Sequence, residues 1–321
     1  MNNIAIITGI TGQDSAYLAK LLLKKNYKVY GVVRSIESSD FTKLRYLNIY
    51  SNINFVEVDL MSFNEVHELL RKIRPNCLYN LASQSSVGWS NLEPYDTYLF
   101  NSISVLNMLE SIRKIDIKIK FFQALSSEIF GIPDNLPINE LESISPVNMY
   151  GASKASNYNL IKIYRDTYNI FAASGIFFNH ESVLRTGDFF VKKVIKSAVE
   201  VKLGKKSKIQ LGNLNIKRDF GSASKYMEAA YIILQAEDPD DFVISSGKSI
   251  CLQDIVNYIF KKLDISVEKL QIDNELIRKN DVKNSYGASD KIRSTLGWEY
   301  DTDFYNVLDD MIYFELNKGK V

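Results

Sequence analysis

The sequence predicts an α/β fold: a doubly wound parallel sheet followed by a smaller C-terminal α/β lobe. Three observations predict it. Short apolar runs alternate with helical spacings from residue 4 to about 170, the pattern of a parallel sheet with right-handed crossovers and helices on both faces. The first run enters a glycine-spaced turn, T-G-I-T-G-Q-D at 8–14, and then a helical pattern; a turn and helix N-terminus so arranged offer backbone N–H groups to a pyrophosphate. Polar or ionisable residues recur past the ends of separate runs, at Gly9, Arg34, Asp59, Ala82 to Ser86 and Ser126 to Glu128, which is where such sheets bind ligands. Together these define a Rossmann-type domain.

In chain order, 4–7 (I-A-I-I) is a fully buried strand. Thr8, Gly9, Thr11, Gly12, Gln13 and Asp14 form the candidate cofactor turn. Ser15 stands where a third glycine is usual and is small enough for close helix–sheet packing. The second strand, 29–33, ends in Arg34. An acidic residue there holds the ribose hydroxyl of NAD, whereas an arginine suits the 2′-phosphate of NADP; a plain surface arginine is the alternative. The run 53–58 alternates as a strand and delivers Asp59 and Leu60 to its C-terminal end, near where an adenine lies. Helical spacing follows at 63–71, a fourth strand at 77–81, the polar tract S-Q-S-S, a helix at 99–112 and a fifth strand at 120–124.

The chemistry concentrates in 123–154, which begins Q-A-L-S-S-E-I-F-G and ends P-V-N-M-Y-G-A-S-K. Tyr150 and Lys154 are four apart, so on a helix both leave one face. A phenol with pKa about 10 is a poor base at neutral pH, and a nearby ammonium favours its anion. Ser126 and Glu128 alternate at a strand end and can point to one side. A hydroxyl, a carboxylate, a phenol and an amine then surround one substrate. The competing reading of Y-x-x-x-K is an exposed helix pair.

The sixth strand, 172–178, ends in N-H-E-S, and the alternation then breaks. A basic amphipathic helix spans 189–201, short strands 209–211 and 217–220, a helix 223–235, a strand 242–244, and helices 252–262 and 305–315. No repeat, low-complexity tract or flexible linker interrupts the chain. Residues 1–180 are read as the cofactor domain, with later segments returning to it, and 181–321 as an interleaved substrate lobe. Lys192, Lys193, Arg218 and Arg278 are candidate phosphate ligands there, although each alone reads as surface.

Bulk properties exclude other classes. Lys+Arg total 39 against Asp+Glu 38, a net charge of +1 in 321 residues, so no field favours nucleic acid or a membrane surface. The two cysteines and two histidines lack metal-ligand spacing, so no metal is expected. A first strand at Ile4 leaves no room for a signal peptide, and no apolar run reaches membrane-span length. The expected setting is the reducing cytoplasm.

These motifs resemble the extended short-chain dehydrogenase/reductases that act on nucleotide sugars, and within them the GDP-mannose 4,6-dehydratase family. The matching stretches are I-T-G-I-T-G-Q-D-S-A-Y-L (7–18), G-V-V-R-S (31–35), Y-N-L-A-S-Q-S-S-V (79–87), Q-A-L-S-S-E-I-F-G (123–131), Y-G-A-S-K (150–154), G-I-F-F-N-H-E-S (175–182), L-G-N-L-N-I-K-R-D-F-G (211–221) and L-G-W (296–298). The resemblance implies NADP-dependent dehydration of a nucleotide sugar, GDP-mannose or a close GDP-hexose, to its 4-keto-6-deoxy form. It makes Tyr150 and Lys154 the catalytic pair, Ser126 the partner of the sugar 4-oxygen and Glu128 the dehydratase glutamate. It adds Leu81, Ala82, Ser83, His180 and Arg185 to the cofactor site. To the substrate site it adds Ser85, Ser86, Asn179, Val191, Leu211 and Gly212, together with the four basic residues. It also implies a homodimer or homotetramer, paired through helices near 94–112 and 149–168. Departures from the family pattern are Ser15 for glycine, Ser86 for histidine, Val183 for proline, a longer loop after it, and a shorter segment after Arg278. A 4-keto-sugar reductase or 4-epimerase, or a non-catalytic cofactor-binding relative, shares the fold; Glu128 argues against the first two and the intact catalytic set against the third.

Overall fold

A computed structural model describes residues 3–276 and 282–318; Arg278 lies outside them. The first half of the chain runs β1 (Ile4–Thr8), α1 (Gln13–Lys24), β2 (Lys28–Val33), α2 (Thr42–Tyr46), β3 (Ile53–Glu57), α3 (Phe63–Ile73), β4 (Cys77–Asn80), α4 (Val87–Leu92), α5 (Pro94–Ile115), β5 (Lys120–Ser126), α6 (Met149–Tyr168) and β6 (Ala172–Phe177). The second runs β7 (Asn179–Glu181), α7 (Phe190–Lys202), β8 (Ile209–Leu211), β9 (Lys217–Ser222), α8 (Ala223–Ile233), β10 (Asp241–Ile244), β11 (Ser249–Cys251), α9 (Leu252–Leu263), β12 (Leu270–Ile272), β13 (Asn284–Ser285), α10 (Asp290–Leu296) and α11 (Phe304–Leu316).

Seven strands form the main sheet in the order β10-β6-β5-β4-β1-β2-β3, and every pair is parallel. This is the α/β Rossmann-like sheet that the alternation predicts. Side chains alternate between its faces. Ala5 and Ile7 pack with Leu18, Leu22 and Tyr226 on one side, while Ile6 packs with Leu70, Leu109, Phe121 and Ile161 on the other. The strand order reverses between β1 and β4, which opens a crevice beyond their C-terminal ends.

Helix starts follow local chemistry. Pro94 opens α5 at its first turn, where its missing N–H costs nothing, so α5 begins five residues earlier than periodicity indicates. Ser86 caps the short α4 by accepting from Trp89 N at 3.2 Å. The C-terminal half contributes to both parts of the molecule. Its β10 joins the main sheet beside β6, and Tyr226 and Ala230 of α8 lie in the same apolar cluster as Leu18 and Leu22 of α1. A third cluster, including Val194, Leu211, Ile255, Ile259 and Met311, unites α7, β8, α9 and α11. The buried Asp219 of β9 accepts from Ser246 N, Ser246 Oγ, Gly247 N and Gly287 N at 2.7–3.3 Å; burial nevertheless pushes its carboxyl up to about 6.

Candidate active site

The glycine turn is dictated by space. Gly9 has φ +66, and a Cβ there would lie 2.9 Å from Ala82 Cα. Only glycine combines that conformation with that approach. Gly12 N donates to Gly9 O at 2.9 Å, and α1 starts at once without a side-chain cap, so its first-turn N–H groups face the crevice at the positive end of the helix. Ser15 is buried in the slot usual for glycine. Gly31 is required as well, because a Cβ would meet Ile10 Cγ1 at 2.6 Å. The cradle fits the pyrophosphate of a nicotinamide dinucleotide. Arg34 is exposed just past β2. Sequence reading passed over Lys43, whose Nζ donates to Thr11 O at 2.9 Å; only the fold brings α2 to the turn. Asp59 is exposed beyond β3, its Oδ1 accepting from Met61 N at 3.0 Å, and the Leu60 side chain is buried.

A line of hydrogen bonds joins this turn to the catalytic candidates. Thr8 Oγ1 donates to Asn80 Oδ1 at 2.5 Å and accepts from Leu81 N and Ala82 N at 3.2 and 3.1 Å. Asn80 Nδ2 donates to Gln123 Oε1 at 2.7 Å, and Gln123 Nε2 to Ala124 O at 2.8 Å. Lys154 Nζ donates to the same Ala124 O at 2.8 Å. Three adjacent strands and α6 are thereby held in register beneath the crevice.

Ser126 ends β5, and its Oγ accepts from Glu128 N at 3.3 Å. The Ser126 hydroxyl also acts to lower the proton affinity of the Tyr150 phenol. Glu128 Oε2 accepts from Asn148 Nδ2 at 2.7 Å. The four candidates Ser126, Glu128, Tyr150 and Lys154 are therefore brought together. Their electrostatics correct one expectation, that the Lys154 ammonium sets the Tyr150 proton affinity. Burial dominates instead, pushing Tyr150 up to about 12 against the lowering contributions of Ser126 and Arg185, and bringing Lys154 down to about 7. The Lys154 Nζ lies 5.8 Å from the Tyr150 ring centroid.

Around them, Asn101 of α5 holds the loop after β4, accepting from Ser83 Oγ and Gln84 N at 3.1 and 2.9 Å and donating to Ser153 Oγ of α6 at 3.0 Å. Sequence reading passed over this residue too. Ser85 is exposed on that loop. The Ser86 hydroxyl, expected at the substrate, is engaged as the α4 cap. His180 Nε2 contacts Asp14 Oδ2 at 3.0 Å, and its Nδ1 contacts Phe178 O at 2.8 Å. Gln13 accepts from Ser182 Oγ at 2.7 Å. Arg185 pairs with Glu181 at 3.2 Å and lies over the Phe189 ring. Asn179 is half-buried at the start of β7.

The lobe overturns three expectations about side chains. Lys192 is not a phosphate ligand: it is 4% exposed, and its Nζ pairs with Glu315 Oε2 of α11 at 2.8 Å. Val191 and Leu211 are core residues of the same lobe, so their side chains are buried in it. The amphipathic stripe of α7 buries both 191 and 192, which the basic composition of the helix concealed. Lys193 is exposed. Gly212 allows close approach of the chain at Leu276, whose O would lie 2.7 Å from a Cβ. Arg218 donates to Lys217 O and Val282 O at 2.8 and 2.6 Å.

The model for the family described as GDP-mannose 4,6 dehydratase matches residues 6–311. The chain belongs to that family. It thereby belongs to the nucleotide-sugar dehydratases, a class of hydro-lyases. It is 34% identical to GDP-mannose 4,6 dehydratase 2 of Caenorhabditis elegans over 92% of this chain and 84% of the relative. It is also 34% identical to GDP-mannose 4,6 dehydratase 1 of Arabidopsis thaliana, over 99% and 91%. Solved structures share the fold. UDP-glucose 4-epimerase of Thermotoga maritima superposes with a TM-score of 0.87 at 19% identity, covering 99% of both chains. The dTDP-glucose 4,6-dehydratase of Bacillus anthracis, in complex with NAD, gives 0.85 at 17% identity over 99% and 97%. RMD of Pseudomonas aeruginosa, complexed with NADPH, gives 0.81 at 16% identity over 99% and 100%. These solved structures share the fold of this chain, and a shared fold does not decide the chemistry.

Proposed function

We propose that this protein removes water from a GDP-linked hexose, GDP-mannose or a close relative, to give the 4-keto-6-deoxy sugar, with NADP as cofactor. The observation that carries this reading is Glu128, a carboxylate anchored beside Ser126 and Tyr150 at the end of β5. Arg34 beyond β2 favours the 2′-phosphate of NADP; equal binding of NAD would remove that part. Residues 1–180, with α8 and β10, form the cofactor part in this reading, and the rest of 181–321 the nucleotide-sugar lobe. Asn179 and Arg218 contact the nucleotide diphosphate in this reading. Subunits pair as a homodimer or homotetramer through α5 and α6.

Bound NADP would supply a hydride acceptor for C4 and a hydride donor for C6. The chain's residues manage the protons. Tyr150, as phenolate supported by Lys154, takes the C4 hydroxyl proton, with Ser126 orienting that oxygen. The resulting 4-ketone acidifies C5–H. Glu128 accepts the C5 proton and delivers it to the C6 hydroxyl, which leaves as water. Tyr150 then returns its proton to C5, so both residues end as they began. A dry pocket retains the cofactor throughout.

The test is incubation with a panel of nucleotide sugars, with mass spectrometry reading loss of one water. Glu128→Gln keeps shape but lacks the base. It should transfer hydride once, raising reduced-nicotinamide absorbance, and stall before water is lost. A Glu128→Gln protein that dehydrates at the unmutated rate would move the assignment to a reductase or epimerase.

A further inference from the structure

We propose that Asn148 is a positioning residue for Glu128, one amide that clamps the reacting carboxylate to the N-terminus of the helix carrying Tyr150 and Lys154. The proposal rests on the functional reading above. Asn148 Oδ1 accepts from Gly151 N at 2.8 Å, capping α6, while its Nδ2 donates to Glu128 Oε2 at 2.7 Å.

The two bonds distinguish this residue from an ordinary cap. Serine, threonine, aspartate and asparagine all cap helices well. Only asparagine among them carries an acceptor and an N–H donor on one short arm. An aspartate would set a second carboxylate against Glu128, and a serine is too short to span both partners. The backbone is shaped to make the span possible. A Cβ at Gly151 would lie 2.5 Å from Glu128 O, so α6 begins directly against the Glu128 main chain. Gly131 has φ +60 and presses still more closely on Ser145 O, and Ser145 N donates to Ile129 O at 3.0 Å. The segments after β5 and before α6 are thus held together, and Asn148 closes the gap between them.

The chemistry needs such a clamp. Glu128 takes a proton from C5 and gives it to the oxygen on C6, two positions on neighbouring carbons. Among the described residues, Asn148 supplies the only recorded hydrogen bond to its carboxylate, through Oε2, leaving Oε1 for the substrate. An amide donor at 2.7 Å fixes the orientation without itself accepting the proton. Because Asn148 also caps α6, the distance between Glu128 and Tyr150 is set by one side chain.

Asn148→Ser keeps a capping oxygen, but its short hydroxyl cannot also reach Glu128. Asn148→Asp keeps the cap and adds repulsion. Asn148→Ala loses both functions. With NADP and GDP-mannose in single turnover, Asn148→Ser should leave KM and the first hydride transfer unchanged and slow water loss by roughly tenfold, the effect expected for a lost hydrogen bond to a charged group. Reduced nicotinamide then accumulates transiently. Asn148→Asp should slow water loss further and lower Tm through that repulsion, and Asn148→Ala should lower Tm through the lost cap. Dehydration by Asn148→Ser at the unmutated rate would overturn the proposal, as would hydride transfer and dehydration falling together. If the unmutated chain neither reduces nicotinamide nor releases water from any GDP-hexose, the functional reading has failed. Crystal structures then decide the clamp separately: a Glu128 carboxylate displaced in Asn148→Ser supports it, and one left in place overturns it.

Discussion

At Tyr150 and Lys154, burial outweighs mutual charge. Lys154 is held near neutrality, at about 7, because its ammonium has left water for a site whose anchor is a single carbonyl. The stability consequence has a definite sign. Between about 7 and the ordinary lysine value the unfolded chain binds more protons, so stability rises with pH through that window. Tyr150, pushed up to about 12, opposes the rise only above about pH 10. In the cofactor-free protein, the unfolding free energy of the unmutated chain minus that of Lys154→Met should climb between pH 7 and 10, at most about 1.4 kcal/mol per unit. A flat difference in urea titrations would refute the burial argument. Tyr150→Phe loses the base and little volume, so folding should persist while turnover falls ~10²–10⁴-fold; near-normal turnover would reduce Y-x-x-x-K to a helix-surface feature. These residues were legible in the sequence because spacing alone puts them on one helix face. Asn148 was not, because its second partner is twenty residues away across two loops whose approach no periodicity encodes.

At the scale of elements, the long helices and the strands of the main sheet were legible because apolar spacing repeats over a whole element. The strands β7, β11, β12 and β13 were not: two or three residues cannot display a period of two. The face of α7 was misread for a related reason, since its lysines suggested a phosphate surface while Lys192 is buried against α11. The Lys192–Glu315 pair has side chains 5% and 7% exposed. Truncating one partner of such a pair strands the other charge and costs roughly 3–5 kcal/mol, whereas replacing both by apolar groups is close to neutral. Lys192→Ala should therefore lower urea stability by about 3 kcal/mol, and Lys192→Met with Glu315→Leu should restore most of it. The KM for nucleotide sugar should not change in the folded double variant. A selective rise in KM would return Lys192 to the substrate site.

At the scale of the whole molecule, the sequence announced the parallel sheet, its ligand edge and a return of later segments, but not that β10 would pair with β6, which lies more than sixty residues earlier. Nor did it resolve the surface. Leu92 and Tyr95 are 71% and 75% exposed, with Trp89 and Tyr98 exposed nearby. Large apolar side chains crowded at one helix junction mark an interaction surface, and a two-fold contact would let the same patch cover itself. The junction also bears on the site, because Ser86 caps α4 and Asn101 of α5 holds the loop after β4. Pairing through α5 and α6, against both of which α4 packs, would stiffen that loop. Leu92→Glu with Tyr95→Glu places two carboxylates on each side of the contact, and no buried residue is altered. Analytical ultracentrifugation should find the unmutated chain paired and the double variant monomeric. The monomer should retain its fold by circular dichroism and show a raised KM, because the loop bearing Ser83 to Ser86 has lost its support. A double variant that stays paired would move the interface elsewhere. A monomer with unchanged KM would separate assembly from the substrate loop.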